Sequence, residues 1–319
     1  VRIAAGNNHG GVLIVNGKDR SFHYVVSGTN GNFWGPSPTN TAQRYRDNYI
    51  VETVQAIEAY TAKKLPIDSA SNEAVAAGLV DLKAYYAVIW ILGEESTVDK
   101  TFSTQEQQRV NDYLANAPNA NLFVSGSELA WDLDHKGSAA DRAFLASALC
   151  ATYVADSANT YNASGVAGSA FAGLSVTFSN GTSGVHGFYN VQYPDVLGTA
   201  NGSQIVMNYV GGTGGGAVVL RTTERSGVVI AAGFPFEMIA SSSARASFMD
   251  RVLGQIVAGY TPPVGVTPPP PPPSSGTPPK GCAIMQPGEP HIPASAAAST
   301  LLPWLMALGL LALGRRRLG

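Results

Sequence analysis

The chain has 319 residues, 45% of them apolar and 13% charged, with a formal net charge of -2. That length suffices to bury a sizeable core, and the apolar residues fall in organised blocks, which excludes disorder of the main region. The charge balance, with no Lys/Arg stripe ahead of the terminal arginines, excludes a nucleic-acid binder.

Residues 1–10 read as the remnant of an upstream module, its closing strand, and the start at Val1 as a mature form or a fragment. GVLIVNG (11–17) is a buried strand ending in Asn-Gly. A long polar and aromatic loop follows from Lys18 to about Gln43. Residues 44–63 place Tyr49, Val51, Val54, Ile57 and Ala59 near helical spacing. YYAVIWILG (85–93) is the next strand, and Thr101 or Ser103 can cap the helix after it. NLFVSG (121–126) is a third strand, turning tightly into ELAWDL, and AADRAFLASALC is a helix that ends on a buried Cys150. Alternation of strand and helix predicts a mostly parallel sheet covered on both faces.

In the second half GLSVTFSN, GFYNVQY, QIVMNYV and GGAVVLRTT alternate between turns, as antiparallel strands do. They predict an extension of the sheet or a flap on it. GVVIAAGFPF (227–236) is a last core strand. The closing helix turns Phe248, Val252, Leu253 and Ile256 inward. The predicted domain thus covers 11–260. Residues 261–281 are a Pro-rich linker with a reach of about 50 Å, a spacer or a proline-motif ligand. Residues 282–319 form a C-terminal segment whose apolar run stops at Arg315-Arg316-Arg317. A basic stop beside an apolar segment predicts an extracytoplasmic domain, anchored to a membrane at least transiently.

Chemistry is expected where strands end. The best turn is Ser125-Gly126-Ser127-Glu128, with Ser127 as nucleophile above the sheet or, equally, as an ordinary helix cap. His186 or His135 would be the base, and Glu237 or Glu94 would orient it. Asp19 and Glu95, also near strand ends, and Trp34 in the long loop are candidate ligand-binding residues, as is His135. No metal-ligand spacing or phosphate loop is present, so neither metal nor cofactor is expected.

The order of elements, VLIVNGKDR, VIWILGEEST, LFVSGSELAWDL and AAGFPFEMI resemble class I glutamine-amidotransferase-like modules of secreted bacterial proteins over residues 11–258. The resemblance implies a three-layer, flavodoxin-like α/β sheet and a wall-amidase type of hydrolase. The family's elbow Cys and His-x-Glu pair are replaced here by Ser-Gly-Ser and by Pro235 before Glu237. Glutaminase activity is therefore not expected. Hydrolysis of amide or glycan bonds in cell-wall or exopolysaccharide material is one expectation. The other is a catalytically silent module that binds a polysaccharide or a protein through Phe33, Trp34 and Tyr45. Gly281-Cys282 and the tail resemble the MYXO-CTERM sorting signal, which implies Cys282 as the anchoring and processing residue and a sorting protease as partner; a plain membrane anchor is the alternative.

Overall fold

Val12–Asn16 (β2), Ala87–Gly93 (β6), Asn121–Gly126 (β7) and Val228–Ala232 (β14) are buried almost residue for residue, because they are covered on both faces. The computed structural model describes residues 2–3, 10–19, 22–26, 40–44, 49–97, 99–181, 188–222 and 227–261; at 2–3, 22–26 and 40–44 it describes the backbone. The remaining strands are Arg2–Ile3 (β1), Phe22–Val26 (β3), Asn40–Arg44 (β4), Ile67–Ser71 (β5), Ala151–Ala155 (β8), Asn162–Gly165 (β9), Ser175–Thr177 (β10), Val196–Thr199 (β11), Gln204–Tyr209 (β12) and Gly216–Thr222 (β13). The helices are Ile50–Glu58 (α1), Asn72–Ala76 (α2), Thr104–Asn116 (α3), Ala139–Ser147 (α4) and Ser242–Ile256 (α5).

These elements make a mixed α/β fold on one twelve-stranded sheet. Its main path runs β1-β5-β2-β6-β7-β14-β13-β12-β9-β10, and β11 and β8 branch from β13. Pairing is parallel from β1 to β14 and antiparallel beyond. The expected antiparallel elaboration is thus an extension of the same sheet.

Alternate residues of the central strands feed two cores. Val12, Ile14, Ile89, Phe123 and Ile230 meet Ile57 of α1 and Phe248, Val252 and Ile256 of α5. Leu13, Val15, Val88, Trp90 and Val124 meet Val110 and Tyr113 of α3 and Phe144 of α4. The period of two along each strand sorts the side chains between the faces. Ser103 caps α3, its Oγ accepting from the Glu106 N–H while Glu106 accepts from the Ser103 N–H at 2.6 Å.

Several expectations change. Arg2–Ile3 pairs in parallel with Asp68 and Ser69 of β5, so these two residues form an edge strand of the same sheet. The long loop contains a hairpin, β3 with β4. Helix α1 is shorter than 44–63, and Val51 points outward. ELAWDL runs into a π-helical turn at Trp131–His135. Cys150 is buried as expected, but it lies beyond α4 with φ of 60°. GFYNVQY is no named strand; its Asn190 makes an isolated bridge to Asn180. Among the described residues no helix is long and apolar enough to cross a membrane. The linker and the C-terminal segment lie outside the described residues.

Candidate functional site

The sheet order creates one crevice by topology alone. From β2 the chain crosses to β5 on one side, then returns to β6 on the other side of β2. Loops leaving the carboxyl ends of β2 and β6 therefore diverge, and ligands of open α/β sheets bind where they part. Lys18 and Asp19 follow β2, and Glu94 and Glu95 follow β6. Ser127 and Glu128 follow β7, the next strand over, and Glu237 follows β14.

These groups meet. Glu95 Oε1 accepts the Asp19 N–H at 2.8 Å, and Asp19 accepts from Asn72 Nδ2. The Lys18 ammonium stands 4.2 Å from the ring centres of both Tyr49 and Tyr189. Gly93 allows this approach: a Cβ there would lie 2.8 Å from Lys18 Cδ, and its φ of 63° suits glycine. Glu237 is 1% exposed; Oε1 accepts from the Tyr189 hydroxyl at 3.0 Å, while Oε2 has no hydrogen-bond partner. Burial pushes the Glu237 carboxyl up and Glu94 adds to that, against the pull of Lys18 and the Tyr189 hydroxyl. Asp19 at the rim is also raised, chiefly by desolvation, with Glu73, Glu106 and Asp99 adding repulsion.

The turn after β7 is an elbow, but its apex is Glu128. Glu128 has φ of 63°, a left-handed conformation that costs a non-glycine residue about 1 kcal/mol or more. Gly126 lets the turn approach β6, since a Cβ there would sit 2.8 Å from that of Leu92. The pattern is thus Gly126-Ser127-Glu128-Leu129-Ala130, small residues flanking a glutamate. The Glu128 carboxylate is 6% exposed and accepts from Ser96 Oγ at 2.9 Å. Ser127 is wholly buried; its N–H donates to Gly93 and its Oγ has no partner.

A strap from the antiparallel half, residues 188–195, crosses this edge. Tyr189 bonds Glu237, the Gln192 N–H donates to Glu94 Oε1 at 3.0 Å, and Asp195 reaches the elbow. Asp195 Oδ2 accepts from the N–H groups of Ala130 and Trp131 at 2.5 and 3.1 Å, the first turn after Glu128. Asp195 is fully buried, Oδ1 has no partner, and desolvation holds its carboxyl well above the usual range, Glu128 adding repulsion. Desolvation raises the strap's Tyr193 hydroxyl, with Asp156 and Glu128 adding repulsion.

No family model matches the chain, and no curated protein does. Among solved structures it is similar to Gan42B, a GH42 beta-galactosidase, at 12% identity and a TM-score of 0.44. The match covers 77% of this chain and 30% of that one, and neither fold nor activity is carried over from it.

The strand-end acids Asp19, Glu94, Glu95 and Glu237 do converge. A Ser–His–acid arrangement is not seen among the described residues, which do not include His186. Ser127 is wholly buried and its Oγ has no hydrogen-bond partner, so it is no exposed nucleophile. His135 lies on the surface, stacked on Trp131 at 4.3 Å and tilted against Tyr153 at 5.0 Å. Glu94 and Glu237 bond the strap, Glu94 through the Gln192 N–H and Glu237 through the Tyr189 hydroxyl. Trp34, His186 and Cys282, like Phe33 and Tyr45, lie outside the described residues. The sequence reading missed Lys18, Glu128, Tyr189 and Asp195. Of these Glu128 carried a signal: Gly126 and Ala130 are the small residues that an elbow centred on Glu128 requires. Among the described residues no cluster of His, Cys, Asp and Glu could hold a metal ion.

Proposed function

We propose that this is a flavodoxin-like, three-layer module of amidotransferase-like descent that acts on saccharide-containing polymer of the cell envelope. Its chemistry would be that of a carboxylate. The observation that carries this reading is Glu128: a strained residue at an elbow apex, held by Ser96, beside a topological switch point. In hydrolysis the Glu128 carboxylate takes a proton from water as the water oxygen bonds to the amide or glycosidic carbon; the C–N or C–O bond then breaks, and the leaving amine or alcohol takes that proton back from Glu128, restoring the carboxylate.

The test uses the purified chain on a panel of wall and exopolysaccharide polymers. Glu128→Gln should lower turnover about 100-fold or more, the range of a lost general base. Ser127→Ala should leave turnover unchanged. Equal loss in both variants would return the nucleophile to Ser127. A second reading, a silent saccharide-binding module, is favoured by the burial of Glu94, Glu95 and Glu237 beneath the strap. It predicts polymer retention without cleavage, unchanged by Glu128→Gln.

The surface location rests on the C-terminal segment. Cys282 would be its anchoring residue, and a sorting protease would remove the tail. Mass spectrometry of the native C-terminus should find it ending near Cys282. An intact tail through Gly319 in the membrane fraction would favour the plain anchor.

A further inference from the structure

The amino ends of β6 and β7, at the end of the sheet opposite the crevice, border a cavity of about 330 Å³. It lies between the residues that lead into these two strands and the chain that leaves α5. Its volume falls at the lower end of the range of small-ligand sites, roughly 300–1,000 Å³. Tyr85, Tyr86 and Tyr260 line it, with Lys83, Asn119 and Gly259. Tyr86 and Tyr260 meet edge to face, 5.2 Å between centroids at 68°. Gly259 leaves room for the Tyr86 hydroxyl, since a Cβ there would stand 2.7 Å from that oxygen.

The lining is aromatic, with its charge already neutralised. The Lys83 ammonium is paired with Asp112 and stands 3.9 Å from Asp81, so it has little left for an anion. The Tyr85 hydroxyl donates to Asp68 at 3.2 Å. Tyr260 differs from both. It is 4% exposed, and its hydroxyl is buried with no hydrogen-bond partner. An unpaired buried hydroxyl is costly, and a ligand hydroxyl would satisfy it. Tyrosines combine an apolar ring with a polar tip. A pyranose has the matching form, C–H faces within a rim of hydroxyls.

We propose that this cavity is a saccharide-binding site, in which Tyr86 and Tyr260 hold one neutral sugar unit of a polymer chain. This rests on the reading of an envelope-polymer module and deepens it. Polymer would be retained at the amino ends of the strands while Glu128 acts at the carboxyl ends. Uronic acids and free amino sugars would find no counter-charge and are disfavoured.

The probes are tri-N-acetylglucosamine, cellotriose and trigalacturonic acid, titrated into the purified full chain by calorimetry. At least one neutral sugar should bind, about tenfold or more tighter than the acidic one. Tyr260→Phe removes the unpaired hydroxyl. Its melting temperature without sugar should equal or exceed that of the wild type, while its sugar affinity falls up to about tenfold. Gly259→Ala, which displaces the Tyr86 hydroxyl, should weaken binding with the fold intact. No binding of either neutral sugar, or affinities unchanged in both variants, overturns the proposal. A lowered melting temperature in Tyr260→Phe also overturns it, because the hydroxyl would then already have a partner. Binding of a hexaproline peptide in place of the sugars would assign the cavity to a proline-rich segment and overturn it too. Glu128→Gln should leave sugar binding unchanged. Loss of hydrolysis with binding intact bears on the catalytic reading alone, and hydrolysis without binding here overturns this site alone.

Discussion

Phe248→Ala should destabilise the domain by about 3–5 kcal/mol, among the largest losses expected of a single truncation. The ring is wholly buried on α5 and contacts four others: Phe123 at 5.9 Å, Phe171 at 5.5 Å, Phe234 at 5.8 Å and Phe236 at 5.8 Å between centroids. Phe123 belongs to the parallel half, and Phe171 lies between strands of the antiparallel half. Phe234 and Phe236 belong to the turn that ends at Glu237. One side chain therefore joins both halves of the sheet to the loop that carries a site carboxylate. Its removal leaves a cavity that rigid neighbours on four sides cannot close. Urea unfolding followed by circular dichroism should show the midpoint fall with little change in slope. Phe248→Leu retains most of the volume and should lose far less. A loss below about 1 kcal/mol for the alanine variant would mean that the two halves are not joined there.

The second large effect is a pH dependence centred on Asp195. Its folded-state carboxyl is raised by burial, as is that of Glu237. A group raised on folding contributes its full stability below its unfolded value, and that contribution is lost as pH rises through the folded value. The ordinary values are 3.8 for Asp and 4.5 for Glu. Stability should therefore decline as pH rises through the raised values of these carboxyls. Asp195→Asn retains an oxygen for the Ala130 and Trp131 N–H groups but cannot ionise. Measured against pH, the difference in unfolding free energy between wild type and this variant should shift in favour of the variant as pH rises. A difference that is flat with pH would show that Asp195 does not titrate on this path. Asp195→Ala should be the more damaging change at every pH, because it orphans two N–H groups at the elbow.

Both predictions show what kind of information lay where. The central strands were legible because burial on both faces writes continuous apolar runs, as in Ala87–Gly93. Helix α3 was legible because its cap is a local hydrogen-bond pattern between Ser103 and Glu106. The strand-end acids were legible for the same reason: a carboxylate just after an apolar run sits at a strand end whatever the sheet order. Ser127 misled because a serine in a tight turn has the same local pattern whether it is the apex or one residue short of it. Backbone φ decides, and it falls to Glu128.

Asp195 had no local signal. Its partners, Ala130 and Trp131, are more than sixty positions away, and only the folded chain brings them together. The same holds for Tyr189, which touches Lys18 and Glu237 from an irregular strap.

The amino-acid sequence alone thus determined the apolar strands β2, β6, β7 and β14, the helices α1, α3, α4 and α5, and the placing of Asp19, Glu94, Glu95 and Glu237 at strand ends, because period and turn chemistry are short-range. Tertiary structure decided the rest. It inserted β14 between β7 and β13, laid residues 188–195 over the crevice and turned Ser127 inward. Strand order and burial depend on which distant surfaces exclude water together, and no window of neighbouring residues contains that.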